Sequence, residues 1–224
     1  MRPPPGCSPP RRGGKVQLLF PHAAKKRSAR LMDVPAPSPT QCVLGVTIAL
    51  PEPWATRVRG VRVAVGDPHG NAIPPHVTLL PPTAVEKTAL NAVAAHVIRV
   101  AARSVPFTLR VAGVGTFRPV SPVVFLGVAE GGPAIDALQQ DLRAADGPLN
   151  RDLRFPFHPH VTLAHEVDDA ALDQAARAGQ DIAATFVVDR IHLQRLAPDG
   201  SWAALATPAL GAAVHPGGTA DPLA

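Results

Sequence analysis

Residues 155–167 read FPFHPHVTLAHEV, and the five letters at their centre, Pro159-His160-Val161-Thr162-Leu163, occur once before, at Pro75-His76-Val77-Thr78-Leu79. A chance repeat of five letters in a chain this size has a probability of about one in a hundred. In a β-strand, residues i and i+2 point to one face and i+1 to the other. Each phrase read as a strand therefore projects a His and a Thr together, with the valine between them turned to a core. Both phrases are apolar, both follow a proline, and both are soon followed by helical spacing. That doubling predicts two related lobes in an α+β arrangement.

Working outward, residues 43–50 read as a strand ended by Pro51, and 54–65 as a helix with arginines between its apolar positions. Residues 66–71 are a loop by their turn residues. The first phrase is a short strand over 77–80, stopped by Pro81-Pro82. Leu90, Val93, Ala94, Val97 and Ala101 give 86–103 one apolar side, the mark of an amphipathic helix. Strands are expected at 107–117 and 123–128, and a helix from Pro133 to 145, where proline suits the first turn. A loop over 146–158 leads to the second phrase. Asp168-Asp169 then start a helix to 178, acids at its positive end. Finally, 182–196 and 202–206 read as two strands closing a hairpin over Asp199-Gly200.

The 224 residues are 46% hydrophobic and 17% charged, enough for one sizeable core or two small lobes. No apolar run approaches the roughly 20 residues of a membrane helix, so no membrane association is expected. The net charge of +5 comes from one end: residues 1–31 hold eight of the 22 basic residues and no acid, and the remainder is mildly acidic. Basicity of the whole chain is thus poor evidence for nucleic-acid binding. Residues 1–40 also hold nine of the 27 prolines and read as a disordered basic tail. Met32 begins a plausible shorter product, which would make that tail a start-site artefact. The folded domain is expected over 41–208, with a flexible end over 209–224. Two cysteines, Cys7 and Cys42, suggest neither a disulfide framework nor a metal site, and fit a reducing cytoplasm. A monomer is expected.

Two imidazoles and two hydroxyls meeting in one cleft suit a phosphodiester. In-line displacement at phosphorus needs a base on the attacking side and an acid on the leaving side. A ring of ordinary pKa about 6.5 can fill either role near neutral pH. Threonine hydroxyls can donate to the non-bridging oxygens. That puts His76 and His160 as acid and base, and Thr78 and Thr162 on the phosphate, with no metal and no cofactor required. Three other readings stand beside this one. Either histidine could be an ordinary core-edge residue. His158, His160 and His165 could hold zinc if a carboxylate joined them. The chain could also be an RNA- or nucleotide-binding module without chemistry.

The doubled His-Val-Thr-Leu resembles the HxTx motifs of the two-histidine (2H) phosphoesterase superfamily, and most of all its bacterial 2′-5′ RNA ligase, or RNA 2′,3′-cyclic phosphodiesterase, branch. The resemblance runs from about Cys42 to Leu205 and takes in Gly115-Thr116-Phe117-Arg118-Pro119. It implies a bilobal, pseudo-twofold α+β fold: two mainly antiparallel sheets around a central cleft, one motif on each lobe, helices outside. It implies opening of 2′,3′-cyclic phosphates, on RNA ends or small nucleotides, to 2′-phosphates, and in some members joining of ends through a 2′-5′ linkage. Ligase-like members often carry arginine three residues after the second threonine, where this chain has His165. Weaker RNA binding would follow, or substitution by Arg118 or Arg154. Phe117 could stack on a base. With no tyrosine and 4% aromatic residues, an extended stacking platform is not expected.

Overall fold

The computed structural model describes residues 34–153 and 155–212. Among the described residues, eight strands and four helices follow one another as β1 (Gln41–Ala49), α1 (Trp54–Ala64), β2 (His76–Glu86), a 3-10 turn (Lys87–Ala89), α2 (Leu90–Arg103), β3 (Phe107–Thr116), β4 (Val123–Glu130), α3 (Gly132–Leu142), β5 (His160–His165), α4 (Asp169–Gly179), β6 (Ala184–Val188), β7 (His192–Leu196) and β8 (Trp202–Ala206). This is the expected α+β order, with one strand more than anticipated near the C-terminal end.

The strands hydrogen-bond in the order β6-β3-β4-β5-β2-β1-β7-β8, every neighbour antiparallel. The two PHVTL strands lie side by side at the middle, where β2 and β5 share a single residue pair, Val77 opposite Val161. The two expected sheets are thus halves of one ladder, hinged at that pair. Each half is built alike: the motif strand at the seam is flanked by the strand preceding it in the chain, β1 beside β2 and β4 beside β5. The helices repeat the symmetry in exchanged form. Helix α1 leaves the first half to pack on β5 and α4, and α3 leaves the second to pack on β2 and α2. Leu44, Val46, Val77, Leu79, Val161 and Leu163 are all buried in one continuous core.

Two expectations are corrected. Residues 182–196 are not one strand of a hairpin. The first part, β6, pairs with β3 at one end of the sheet, and β7 pairs with β1 and β8 near the other. In a flat sheet these strands would lie six spacings apart, about 29 Å. The linking residues 189–191 reach at most about 14 Å, so the halves must bend strongly about the seam. Pro81-Pro82 do not stop β2 either. The β1–β2 register slips between Leu44 opposite Thr83 and Val46 opposite Leu80, so both prolines sit across a bulge from Gly45. Beyond Val77 no pairing to β5 asks them for an N–H, which is where a strand tolerates proline.

Of the expected N-terminal tail, residues 1–33 lie outside the described residues, as does 213–224 at the other end. Near the body the chain is tied in: Thr40 and Pro39 carbonyls accept from the Lys87 backbone and Nζ at 2.8 and 2.7 Å. Past the expected boundary at 208, Leu210 is buried, and the Leu210 and Gly211 amides donate to Asp189 and Ala101. No described helix is long and apolar enough to cross a membrane.

Candidate active site

Val77 and Val161 face each other and turn into the core, each with 1% exposure or less. The alternation of a strand then puts His76, Thr78, His160 and Thr162 on the opposite face, where all four are half-buried. Antiparallel pairing runs the two motifs past each other in opposite senses. One residue out from the valines, His76 comes level with Thr162, and Thr78 with His160. Each imidazole is thereby set against the hydroxyl of the other lobe. Flanking strands add Thr47 beside Thr78, Phe125 beside Thr162 and Gly127 beside His160.

The rings are held alike. His76 Nδ1 lies 2.8 Å from the Pro74 carbonyl and His160 Nδ1 2.7 Å from the His158 carbonyl, in each case two residues upstream across a proline. A carbonyl oxygen only accepts, so Nδ1 carries the hydrogen in both rings, and Nε2 is the nitrogen left for proton transfer. Burial pushes both pKa values below the ordinary histidine value. The carbonyl bonds oppose that shift, while positive charge on Arg62 adds to it at His76, and charge on His158 and His76 adds to it at His160. Burial thus favours the neutral form of both rings.

One wall beside His160 is aromatic. Phe117 stands edge-on to His160, ring centroids 5.0 Å apart, and packs on Phe125 at 4.4 Å. Phe125 in turn lies 5.2 Å from both His158 and His160. Gly115 makes room for that ring, because a Cβ there would come within 2.6 Å of it. Behind the wall opens a groove of about 480 Å3, floored by Gly113, Gly115 and Gly127 and edged by Phe157, His158 and Asp136. Phe125 lies in the expected strand over 123–128 and is buried. Its cross-strand place opposite Thr162 is what carries it to the site.

The structure therefore brings together His76, Thr78, His160, Thr162 and Phe117. It does not add the Arg118 guanidinium, which donates to Asp169 at 3.2 Å and Asp173 at 2.7 Å on α4. His165 is set among other charges: Glu166, Asp67, His69 and Arg62 all act on it. Arg154 lies outside the described residues. The His158 and His160 ring centroids are 6.2 Å apart, and among the described residues no group of three or more His, Cys, Asp or Glu is arranged to hold a metal ion.

Mirrored His-x-Thr strands meeting at the seam of an α+β sheet define a two-histidine phosphoesterase fold. The chain belongs to the 2′-5′ RNA ligase superfamily, whose family model matches residues 50–200. A Halalkalibacterium halodurans protein named "Putative phosphoesterase BH1439" is 35% identical over 147 residues, 65% of this chain and 84% of its own length. A Bacillus thuringiensis protein with the same kind of name is 29% identical over 161 residues, 71% of this chain and 91% of its own. Among solved structures, Escherichia coli LigT complexed with NADP+ superposes with a TM-score of 0.57 at 22% identity, covering 77% of this chain and 99% of LigT. The LigT complex with 3′-AMP gives 0.56 at 21% identity, over 76% and 98%. These likenesses establish the fold.

Proposed function

We propose that this protein is a metal-independent phosphodiesterase that opens 2′,3′-cyclic phosphates, at RNA ends or on small nucleotides, to 2′-phosphates. The observation that carries the reading is the matched anchoring of the two imidazoles, Nδ1 to a carbonyl at 2.8 and 2.7 Å on adjoining strands. One neutral ring takes a proton from water through Nε2 as the water oxygen bonds to phosphorus. The P–O3′ bond breaks, and the other ring, protonated, gives its proton to O3′. The product is a 2′-phosphomonoester, and the pair has exchanged protonation states, to be reset by solvent. Thr78 and Thr162 donate to the non-bridging oxygens, where charge builds. If a ribose 5′-hydroxyl replaces water, the same displacement forms a 2′-5′ linkage.

The glycine-floored groove supports a nucleoside as the group attached to the phosphate. It adjoins His160 through Phe125 and His158, and Asp136 makes it a poor place for a second phosphate. Phe117 is the ring against which that nucleoside is buttressed. LigT, which shares the fold, has been crystallised with 3′-AMP, ATP and NADP+.

A panel of 2′,3′-cyclic nucleotides and cyclic-phosphate RNA ends, with products read by phosphorus NMR, tests this directly. Expected are 2′-phosphates, a bell-shaped pH–rate profile and activity that persists in a chelator. His76→Ala and His160→Ala should each lower kcat by at least about a hundredfold. Binding of these nucleotides with no turnover would instead make the chain a nucleotide-binding module.

A further inference from the structure

Helix α1 carries a buried cation that the acid–base chemistry above does not use. Arg62 and Asp67 form an ion pair at 3.0 Å with side chains 6% and 0% exposed. The free Nη1 of Arg62 donates to the Ile73 carbonyl at 2.8 Å, and the second carboxylate oxygen of Asp67 accepts from the His69 amide at 2.8 Å. Gly70 lies so close that a Cβ there would come within 3.2 Å of Arg62 and of the Asp67 carbonyl. These contacts stitch together the whole loop between α1 and β2. Ile73 directly precedes Pro74, whose carbonyl takes the His76 Nδ1 hydrogen.

Among the described residues the second lobe has no counterpart of this ion pair. There the arginine at the end of α3, Arg143, donates to the Arg151 carbonyl, seven residues short of His158, and His158 itself is exposed. A buried ion pair is weak as a source of stability, since well-packed apolar residues often do as well. Its exact bonding geometry is what an apolar pair could not supply.

We propose that Arg62, braced by Asp67, is a positioning residue for His76: it fixes the 73–74 backbone and so the carbonyl that sets the tautomer and orientation of that imidazole. The inference rests on His76 serving the phosphodiester reaction, but half of its test needs no substrate. Arg62→Lys keeps the charge and cannot serve both partners of the fork, and Asp67→Asn keeps the shape and loses the pairing. Each variant is compared with wild type by nitrogen NMR of the imidazoles and by turnover of 2′,3′-cyclic AMP.

Wild-type His76 and His160 should both show the Nδ1–H tautomer. In the variants His76 should show mixed tautomers while His160 does not change. Misplacement of an acid–base group should lower kcat by about tenfold or more, with KM within about twofold. An Nε2–H tautomer at wild-type His76 would overturn the proposal without any variant. So would a variant with unchanged His76 signals and unchanged kcat, or one that disturbs both imidazoles equally. If His76→Ala itself kept full turnover, the role given to His76 would fail, while the NMR comparison would still judge the link from Arg62 to its tautomer.

Discussion

A threonine of each motif comes level with the histidine of the other by register, and the proposed reaction assigns both hydroxyls to the phosphate. In that reading Thr78 and Thr162 would flank the phosphorus on either side of the Val77–Val161 pair. A hydrogen bond to a charged oxygen contributes about 1.5–3 kcal/mol. Thr78→Val and Thr162→Val keep the β-branched shape and lose the donor. Each should lower kcat/KM by roughly 10- to 100-fold, with circular dichroism and melting temperature close to wild type. A variant at full activity would remove that threonine from phosphate binding. These four residues were legible because the repeat is literal and the strand period puts them on one face. What holds them was not. The partners of Nδ1 are backbone carbonyls, to which a sequence is blind. Arg62 reads as one more solvated arginine among Arg57 and Arg59 until α1 is seen to bury it.

Elements matter here by what they push against the motif strands. Helix α4 opens on Asp168, at the expected acidic start, and the Asp168 carboxylate also caps the helix by accepting from the Ala171 amide at 2.8 Å. It ends against β5 at Gly179, a buried position where a Cβ would run into Leu163 Cδ1 and come within 3.2 Å of Val114. Leu163 is the residue after Thr162, so α4 and the second motif strand are packed at bare van der Waals limits. Gly179→Ala should destabilise the fold by about 1–3 kcal/mol through overpacking, read from urea unfolding; a midpoint at or above wild type would show that the α4–β5 contact can give. Helices with a clear apolar stripe, such as α2, were legible to within a few residues. The path of β2 through Pro81-Pro82 was not, because a bulge is a property of two strands together. The split of 182–196 was missed for a similar reason: strand-forming residues on both sides of Asp189-Arg190 say that strands form there, not which edge of a bent sheet each one joins.

The whole molecule couples protonation to folding and to anion binding in a way that a melting curve can read. Burial is the first cause that lowers the pKa of His76, His160, His165 and His192 below the ordinary value. The unfolded chain takes up protons on these rings from about pH 6.5 downward, before the folded chain does. Stability therefore falls as pH drops through that window and is fully present above it. The depressed carboxyls of Glu52, Asp189 and Asp199 titrate lower still and do not enter it. Inorganic phosphate, if it binds as proposed between His76 and His160, should reverse the balance there, since an anion beside an imidazole favours its charged form. Binding then takes up a proton, and the rise in melting temperature caused by phosphate should grow as pH falls from 8 toward 6. His165 and His192 keep their own burial in the absence of phosphate, so the His76→Ala/His160→Ala double variant should keep part of the acid destabilisation in buffer and lose the pH-dependent gain from phosphate. Calorimetry of both proteins at three pH values, with and without phosphate, decides the matter. A phosphate effect that is flat with pH, or equal in the double variant, would mean that the anion does not meet the two imidazoles at the seam.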